Sequence, residues 1–231
     1  MIEHFATPPS VPSPTGEALC RLCASSGGTC CATDPDLTYL SFPLSGPEWR
    51  RLAPYAALAT ASPQRDAGPF AREEEEANRA AEALERGPSP TDGGGETALA
   101  PEGDAVAAPE PNHPDFVTSM RFLFPGQRER VEALFPTNGT HYALRTRADG
   151  ACVFLGSAGC RLPRSVRPWY CLLFPAWVSD GSLTLFLSPD CLISQKAKGP
   201  AHGIELLEQR PARIRELHAL LCRDWGLAPP E

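Results

Sequence analysis

The spacing of apolar and polar positions in the first 60 residues predicts one short strand followed by one helix. Residues 37–42 alternate well enough for a strand, which Pro43 would end. Ser45, Pro47 and Glu48 are typical of a helix start, because proline suits the first helical position and an acid suits the first turn. The apolar residues that follow recur in three-residue steps, at Trp49, Leu52, Tyr55 and Leu58. The helix is therefore expected to bury one face.

Order is expected to resume at Phe116, after a long polar stretch. Apolar residues over 116–124 precede a Pro125–Gly126 turn and a short helical stretch to Leu134. At the C-terminus, Pro211 suits a first helical position and Gly226 can cap the end. One face of that helix carries Ile214, Leu217, Leu221 and Trp225.

Two hairpins are predicted between these helical regions. Residues 141–147 and 151–155 alternate in part on either side of the turn residues 148–150. Residues 177–178 and 183–187 flank an Asp180–Gly181 turn in the same way. Short strands among short helices predict an α+β fold, a small irregular cysteine domain nucleated by metal.

An acidic insert interrupts this domain. Of the 28 acidic residues, 13 lie between residues 65 and 115 against four arginines, so the formal net charge of −7 arises in that segment. Residues 70–86 favour a solvated helix, and residues 87–114 carry six prolines with few large apolar residues, which predicts a flexible linker. Outside the insert the chain is almost neutral, so its charge indicates no nucleic-acid partner.

Composition divides the chain into five parts. We expect a disordered N-terminal tail over 1–16, the first half of the cysteine domain over 17–60 and the acidic insert over 61–115. The second half of the domain then spans 116–200, and a C-terminal helical segment spans 201–231. The N-terminus resembles no signal peptide and no apolar run approaches the roughly 18 residues of a membrane span, so a cytoplasmic protein without a membrane partner is expected.

Four cysteines lie within twelve residues near the N-terminus, at Cys20, Cys23, Cys30 and Cys31. This stretch has little apolar surface to offset the entropy of its own ordering. We expect metal–thiolate bonds to supply that stabilisation, because a Cys-x-x-Cys turn directs two sulfurs toward one point. Cysteines at such spacing in a reducing compartment bind metal more often than they form disulfides.

Four further cysteines complete the predicted ligand set, at Cys152, Cys160, Cys171 and Cys191. The first three lie in a segment rich in turn residues, and Cys191 is the least certain ligand. The ninth, Cys222, is expected to be a core or surface thiol of the C-terminal helix and not a ligand. His141 is expected at the surface or half-buried, and Arg167 either binds the site or pairs with an acid. Trp169 and Tyr170 are expected to pack over the site.

These cysteines, followed by the unusual string Arg167, Pro168, Cys171, Phe174 and Pro175, resemble the YkgJ-type cysteine-cluster family. The resemblance covers about residues 18–60 and 116–195. It implies a zinc- or iron-chelating domain. Some relatives in this family resemble flagellin lysine N-methylases, which are longer than this chain.

The donor set restricts the metal without identifying it. Four thiolates match one tetrahedral zinc ion or one [4Fe–4S] cluster, and eight match two of either. Soft sulfur donors disfavour magnesium and calcium, and eight sulfurs without histidine slightly favour an iron–sulfur cluster over zinc. The chain is accordingly predicted to be a metal-binding accessory or binding module. A protein partner is possible, and the sequence does not identify one. The alternatives are a cluster-containing enzyme that modifies proteins, similar to lysine N-methylases, and a zinc-stabilised interaction protein.

Overall fold

Helices and small antiparallel strand pairs alternate along the chain, which is the mixed α+β class that the sequence predicts. The computed structural model describes residues 16–25, 31–32, 34–60, 105–157, 159–188 and 191–229. The N-terminal tail and residues 61–104 of the predicted insert lie outside these ranges. No helix in the described ranges is long and apolar enough to cross a membrane.

The first half contains three helices and two 3-10 turns among its described residues. These are α1 (Gly16–Ser25), a 3-10 turn at Pro35–Leu40, α2 (Gly46–Leu52), a 3-10 turn at Ala53–Tyr55 and α3 (Ala56–Thr60). The strand predicted over residues 37–42 is wrong. Asp34 accepts hydrogen bonds from the Asp36 and Leu37 amides, at 3.0 and 2.8 Å, and this local turn starts the 3-10 helix instead.

The predicted helix start at Ser45 is confirmed. The Ser45 amide donates to Glu48 Oε2 at 2.9 Å, and the Glu48 amide donates to Ser45 Oγ at 3.3 Å, which is a capping box. The predicted single helix to residue 58 is divided at Pro54, because proline has no amide hydrogen to continue the ladder. Leu52 is nevertheless fully buried, as the three-residue spacing predicts.

The hairpin predicted for residues 141–155 is replaced by a pairing between distant strands. Strand β2 (Thr140–Leu144) pairs antiparallel with β1 (Ala107–Pro111), which lies in the segment predicted to be a flexible linker. Order thus resumes before Phe116, and Val106 and Ala107 are buried. The predicted turn at residues 148–150 does form, but only one bridge, from Thr146 to Cys152, closes it.

The remaining elements carry the second half of the domain. Helices α4 (Pro114–Leu123) and α5 (Arg128–Leu134) lie between β1 and β2 along the chain. After β2 come β3 (Leu155–Gly156), β4 (Gly159–Cys160), a 3-10 turn at Arg164–Val166, α6 (Trp169–Leu173), β5 (Ala176–Ser179), β6 (Ser182–Leu185), α7 (Leu192–Lys196), α8 (Pro200–Leu206) and α9 (Pro211–Asp224). The β5–β6 hairpin around Asp180 and Gly181 is confirmed, with positive φ at both turn residues. The helix from Pro211 is also confirmed.

Two hydrophobic cores support these elements. The larger surrounds the fully buried Trp177 and takes apolar residues from α4, α5, α6, β5 and α9. The smaller contains Leu52 of α2, Val106 and Phe154. Cys152 and Cys160 pack against this smaller core, so it lies next to the predicted ligands.

Candidate metal centre

Cys31 and Cys152 meet where the two halves of the domain join. The Cys152 amide donates to the Cys31 carbonyl at 2.7 Å, and Ala32 forms an antiparallel bridge with Ala151. Arg147 supports this turn, because its Nη1 donates to the carbonyls of Cys152 and Leu155 at 3.2 and 2.9 Å. The meeting of these two backbones places thiols from both predicted halves in one region.

Cys160 joins them through the shortest hairpin in the described part of the chain. Cys160 on β4 lies opposite Leu155 on β3, and the Arg161 amide donates to the Phe154 carbonyl at 2.8 Å. Arg161 Nη2 also donates to the Val153 carbonyl at 2.6 Å. The hairpin therefore returns Cys160 alongside the segment that begins at Cys152.

Cys171 reaches the site on the short helix α6. Before this helix, Arg167 Nε donates to the Leu162 carbonyl at 3.0 Å, so the guanidinium braces the loop that the Arg-Pro string forms. At the helix start, the Trp169 amide donates to Glu48 Oε1 at 2.7 Å. Gln209 Nε2 donates to the Leu172 carbonyl at 2.9 Å. Helix α6, which carries Cys171, is thus held by residues from earlier and later parts of the chain.

Electrostatic coupling shows that these four thiols are neighbours. The pKa of Cys152 is raised to about 12, mainly by burial and then by the neighbouring thiols of Cys160 and Cys31. The pKa of Cys171 also lies well above its ordinary value, first through desolvation and then through Cys152, Cys31 and Cys160. Cys171 is nevertheless exposed to solvent. We call Cys31, Cys152, Cys160 and Cys171 the thiol cluster.

Glu48 is a component of this region that sequence reasoning missed. Its side chain is buried, and burial raises its pKa despite the hydrogen bonds from Ser45 and Trp169. Its negative charge is close enough to raise the pKa of Cys171. The sequence identified Glu48 as an acid in the first turn of a helix, but no local pattern indicated its contact with α6.

The other predicted ligands have different positions. Cys30 and the side chain of Cys20 lie outside the described part of the structure. Cys23 is buried on α1, which packs against β4 and α7, and Cys191 is buried at the N-cap of α7. Neither Cys23 nor Cys191 is among the thiols that raise the pKa of Cys152 or Cys171. Their metal ligation stays a prediction.

The aromatic residues of the Arg-Pro string pack near the cluster. The Tyr170 ring stacks on Phe42 with 4.3 Å between centroids. Trp169 lies below the Arg51 guanidinium, whose carbon is 4.2 Å from the ring centroid. Both side chains also contact the larger core, so α6 is held by packing as well as by hydrogen bonds.

The donor chemistry of the cluster suits a soft metal, but its side chains are not closed around one point. Among the described residues, no group of three or more His, Cys, Asp or Glu side chains is arranged to hold a metal ion. No disulfide joins any two of the seven cysteines whose side chains the structure describes. Four neighbouring sulfurs fit the number that zinc or one [4Fe–4S] cluster takes, and their thiols would have to turn toward a shared cation.

His141 and His218 are buried histidines, and no position had been predicted for His218. His141 was expected at the surface or half-buried and is in fact buried, because its ring stacks on Phe116 and its Nδ1 bonds Asn112 Oδ1 at 2.9 Å. His218 contacts the Cys222 sulfur through Nδ1 at 3.6 Å. His218 and Cys222 are four residues apart on α9, so helical spacing could have identified this pair.

Comparisons with known proteins give no relative for this chain. No family model matches it, and comparisons with curated proteins and with solved structures found no match.

Proposed function

We propose that the chain is a metal-binding protein whose thiol cluster, Cys31, Cys152, Cys160 and Cys171, holds a zinc ion or an iron–sulfur cluster. The observation that carries the proposal is the convergence of these four cysteines from three separate segments of the chain. The resemblance to zinc- or iron-chelating cysteine-cluster proteins supports the same interpretation. The biological role would be that of an accessory or binding module.

Buried, protonated thiols such as these can exchange their protons for a soft metal cation. The raised pKa values keep Cys152 and Cys171 protonated at neutral pH in the absence of a cation. Binding of a metal replaces these protons, so affinity rises with pH and binding releases protons. Zinc would supply structural stabilisation, and an iron–sulfur cluster would add electron-transfer chemistry.

The chain's own residues would order and shield the site. Arg147 and Arg161 hold the turns that carry Cys152 and Cys160, and the smaller core excludes water from one side. A metal bound here would join the two halves of the domain, which is the sense in which the fold is metal-nucleated.

Metal analysis of the full chain, purified without oxygen and with reduced thiols, tests the proposal. We expect zinc or iron in near-stoichiometric amount, and visible absorbance only in the iron–sulfur case. Serine in place of any cluster cysteine should lower the metal content, because a hydroxyl is a poor ligand for a soft metal. A reduced, folded protein that neither contains nor takes up zinc or iron would contradict the proposal.

Cys222→Ser is the matched control, because Cys222 is a buried thiol whose described contact is His218. It should keep the metal. The same series extended to Cys20, Cys23, Cys30 and Cys191 determines whether the second group of predicted ligands belongs to this centre, to another one, or to none.

A further inference from the structure

Trp169 makes contacts with three charged side chains from two other helices. Its backbone amide donates to Glu48 Oε1 at 2.7 Å, and its indole Nε1 donates to Asp224 Oδ2 at 2.8 Å. The Arg51 guanidinium lies over its ring at 4.2 Å from the centroid, a cation–π contact. One residue therefore ties α6 to α2 and to the end of α9.

The three charged partners are themselves fixed. Glu48 is buried, and its Oε2 accepts from the Ser45 amide and hydroxyl at 2.9 and 2.8 Å. Arg51 donates to the carbonyls of Val166 and Arg167 at 3.3 and 3.2 Å. The Asp224 side chain is only 8% exposed. Contacts to three fixed groups restrict both the position and the rotation of Trp169.

Helix α6 depends on such contacts, because five residues are too few for a helix to be stable alone. Trp169 and Cys171 lie within the same turn of this helix, so a displacement of Trp169 also displaces Cys171. No residue of the thiol cluster makes these contacts to Trp169 in the described part of the chain. The position of Cys171 is therefore set from outside the cluster.

We propose that Trp169 is a positioning residue for the thiol cluster, which holds helix α6, and with it Cys171, beside the other three thiols. This inference rests on the proposed metal-binding function and adds the residue that aligns one ligand. Residues that orient metal ligands without touching the metal typically change affinity about 10- to 100-fold when they are mutated.

Cobalt(II) titration of the full chain, without oxygen and with reduced thiols, tests the inference. Cobalt replaces zinc in thiolate sites, and its charge-transfer absorbance increases with the number of bound thiolates. We expect Trp169→Leu to weaken cobalt binding about 10- to 100-fold. At saturation its spectrum should match that of Cys171→Ser, with the absorbance of one thiolate lost.

Trp225→Leu is the matched control. Trp225 is also a partly buried tryptophan in contact with the larger core, and its ring lies 5.0 Å from Phe135. Its replacement should lower stability while leaving the cobalt spectrum and affinity unchanged. A general loss of packing would change the cobalt affinity and spectrum of both variants alike, whereas a positioning role changes them only in the Trp169 variant.

The outcomes separate this inference from the proposed function. If the wild-type chain shows no cobalt–thiolate absorbance, the proposed function fails and the inference fails with it. If the wild type binds cobalt and Trp169→Leu keeps its affinity and spectrum, only the positioning role is refuted. Should Trp169→Leu not fold, Trp169→Phe decides, because it keeps an aromatic ring for Arg51 and lacks the N–H that bonds Asp224. We then expect about fivefold weaker binding, and unchanged binding refutes the inference.

Discussion

Lowering the pH from 7 to 5 should destabilise the folded chain through two buried histidines. Burial lowers the pKa of both His141 and His218 to about 4, whereas histidine in an unfolded chain titrates near 6.5. Between these values the unfolded state binds more protons than the folded state. The free energy of unfolding therefore falls as the pH drops below about 6.5, and the fall ends near pH 4.

The magnitude follows from the two pKa values. Between pH 7 and pH 5 each ring should lower the free energy of unfolding by about 1.8 kcal/mol, and the two together by roughly 3 to 4 kcal/mol. This is a large part of the 5–15 kcal/mol typical of a folded domain. Glu48 acts in the opposite direction, because burial raises its pKa and the folded state then takes up a proton more readily than the unfolded one. Single variants isolate the histidine contribution.

Urea unfolding of the wild type, His141→Gln and His218→Gln at pH 7, 6 and 5 measures the effect. Each variant should lose stability less steeply than the wild type as the pH falls, by about 1.8 kcal/mol over two pH units. His113→Gln is the control, because the His113 side chain is 46% exposed, and it should retain the wild-type slope. Contributions from bound metal are shared and cancel in these differences. Equal slopes for the wild type and both core variants would refute the reasoning.

The remaining predictions concern the metal and the insert. Removal of metal by a strong chelator under reducing conditions should lower the melting temperature sharply, because the proposed metal would join the two halves of the domain; an unchanged melt after verified metal loss would contradict this. Replacement of residues 62–104 by a short Gly/Ser linker should change stability by no more than about 0.5 kcal/mol. Extending the replacement to residue 111 should cost about 2 kcal/mol or more, because it removes β1 and the fully buried Val106. Urea unfolding distinguishes the two replacements, and equal stabilities would show that β1 contributes nothing.

Elements specified by neighbouring residues could be predicted from the sequence. The β5–β6 hairpin follows from Asp180 and Gly181, which tolerate the positive φ that a tight turn needs. Helix α2 follows from its capping box, and α9 from Pro211 and the spacing of its buried residues. In each case the chemistry that specifies the element lies within a few residues of it.

Elements specified by distant contacts could not be predicted. Strand β1 has the composition of a linker, and only its pairing with β2, across α4 and α5, shows that it is part of the fold. The turn-rich segment around Cys152, Cys160 and Cys171 indicated that these three thiols belong to one site. The backbone contact between Cys31 and Cys152 brings Cys31 to them, and it could not be predicted. The residues around Glu48 and those around Trp169 give no indication that the two side chains' helices are in contact.

The bond between Trp169 and Glu48 has a consequence for the order of folding. Its two residues are 121 positions apart, and the backbone contact between Cys31 and Cys152 spans a similar distance. Bringing such distant segments together has a high loop-closure entropy, and contacts of this kind slow folding. During synthesis from the N-terminus, Cys31 leaves the ribosome long before the other three thiols of the cluster exist. The complete four-thiol centre can therefore form only after the chain has been made through Cys171, so its assembly is a late step in the maturation of this protein.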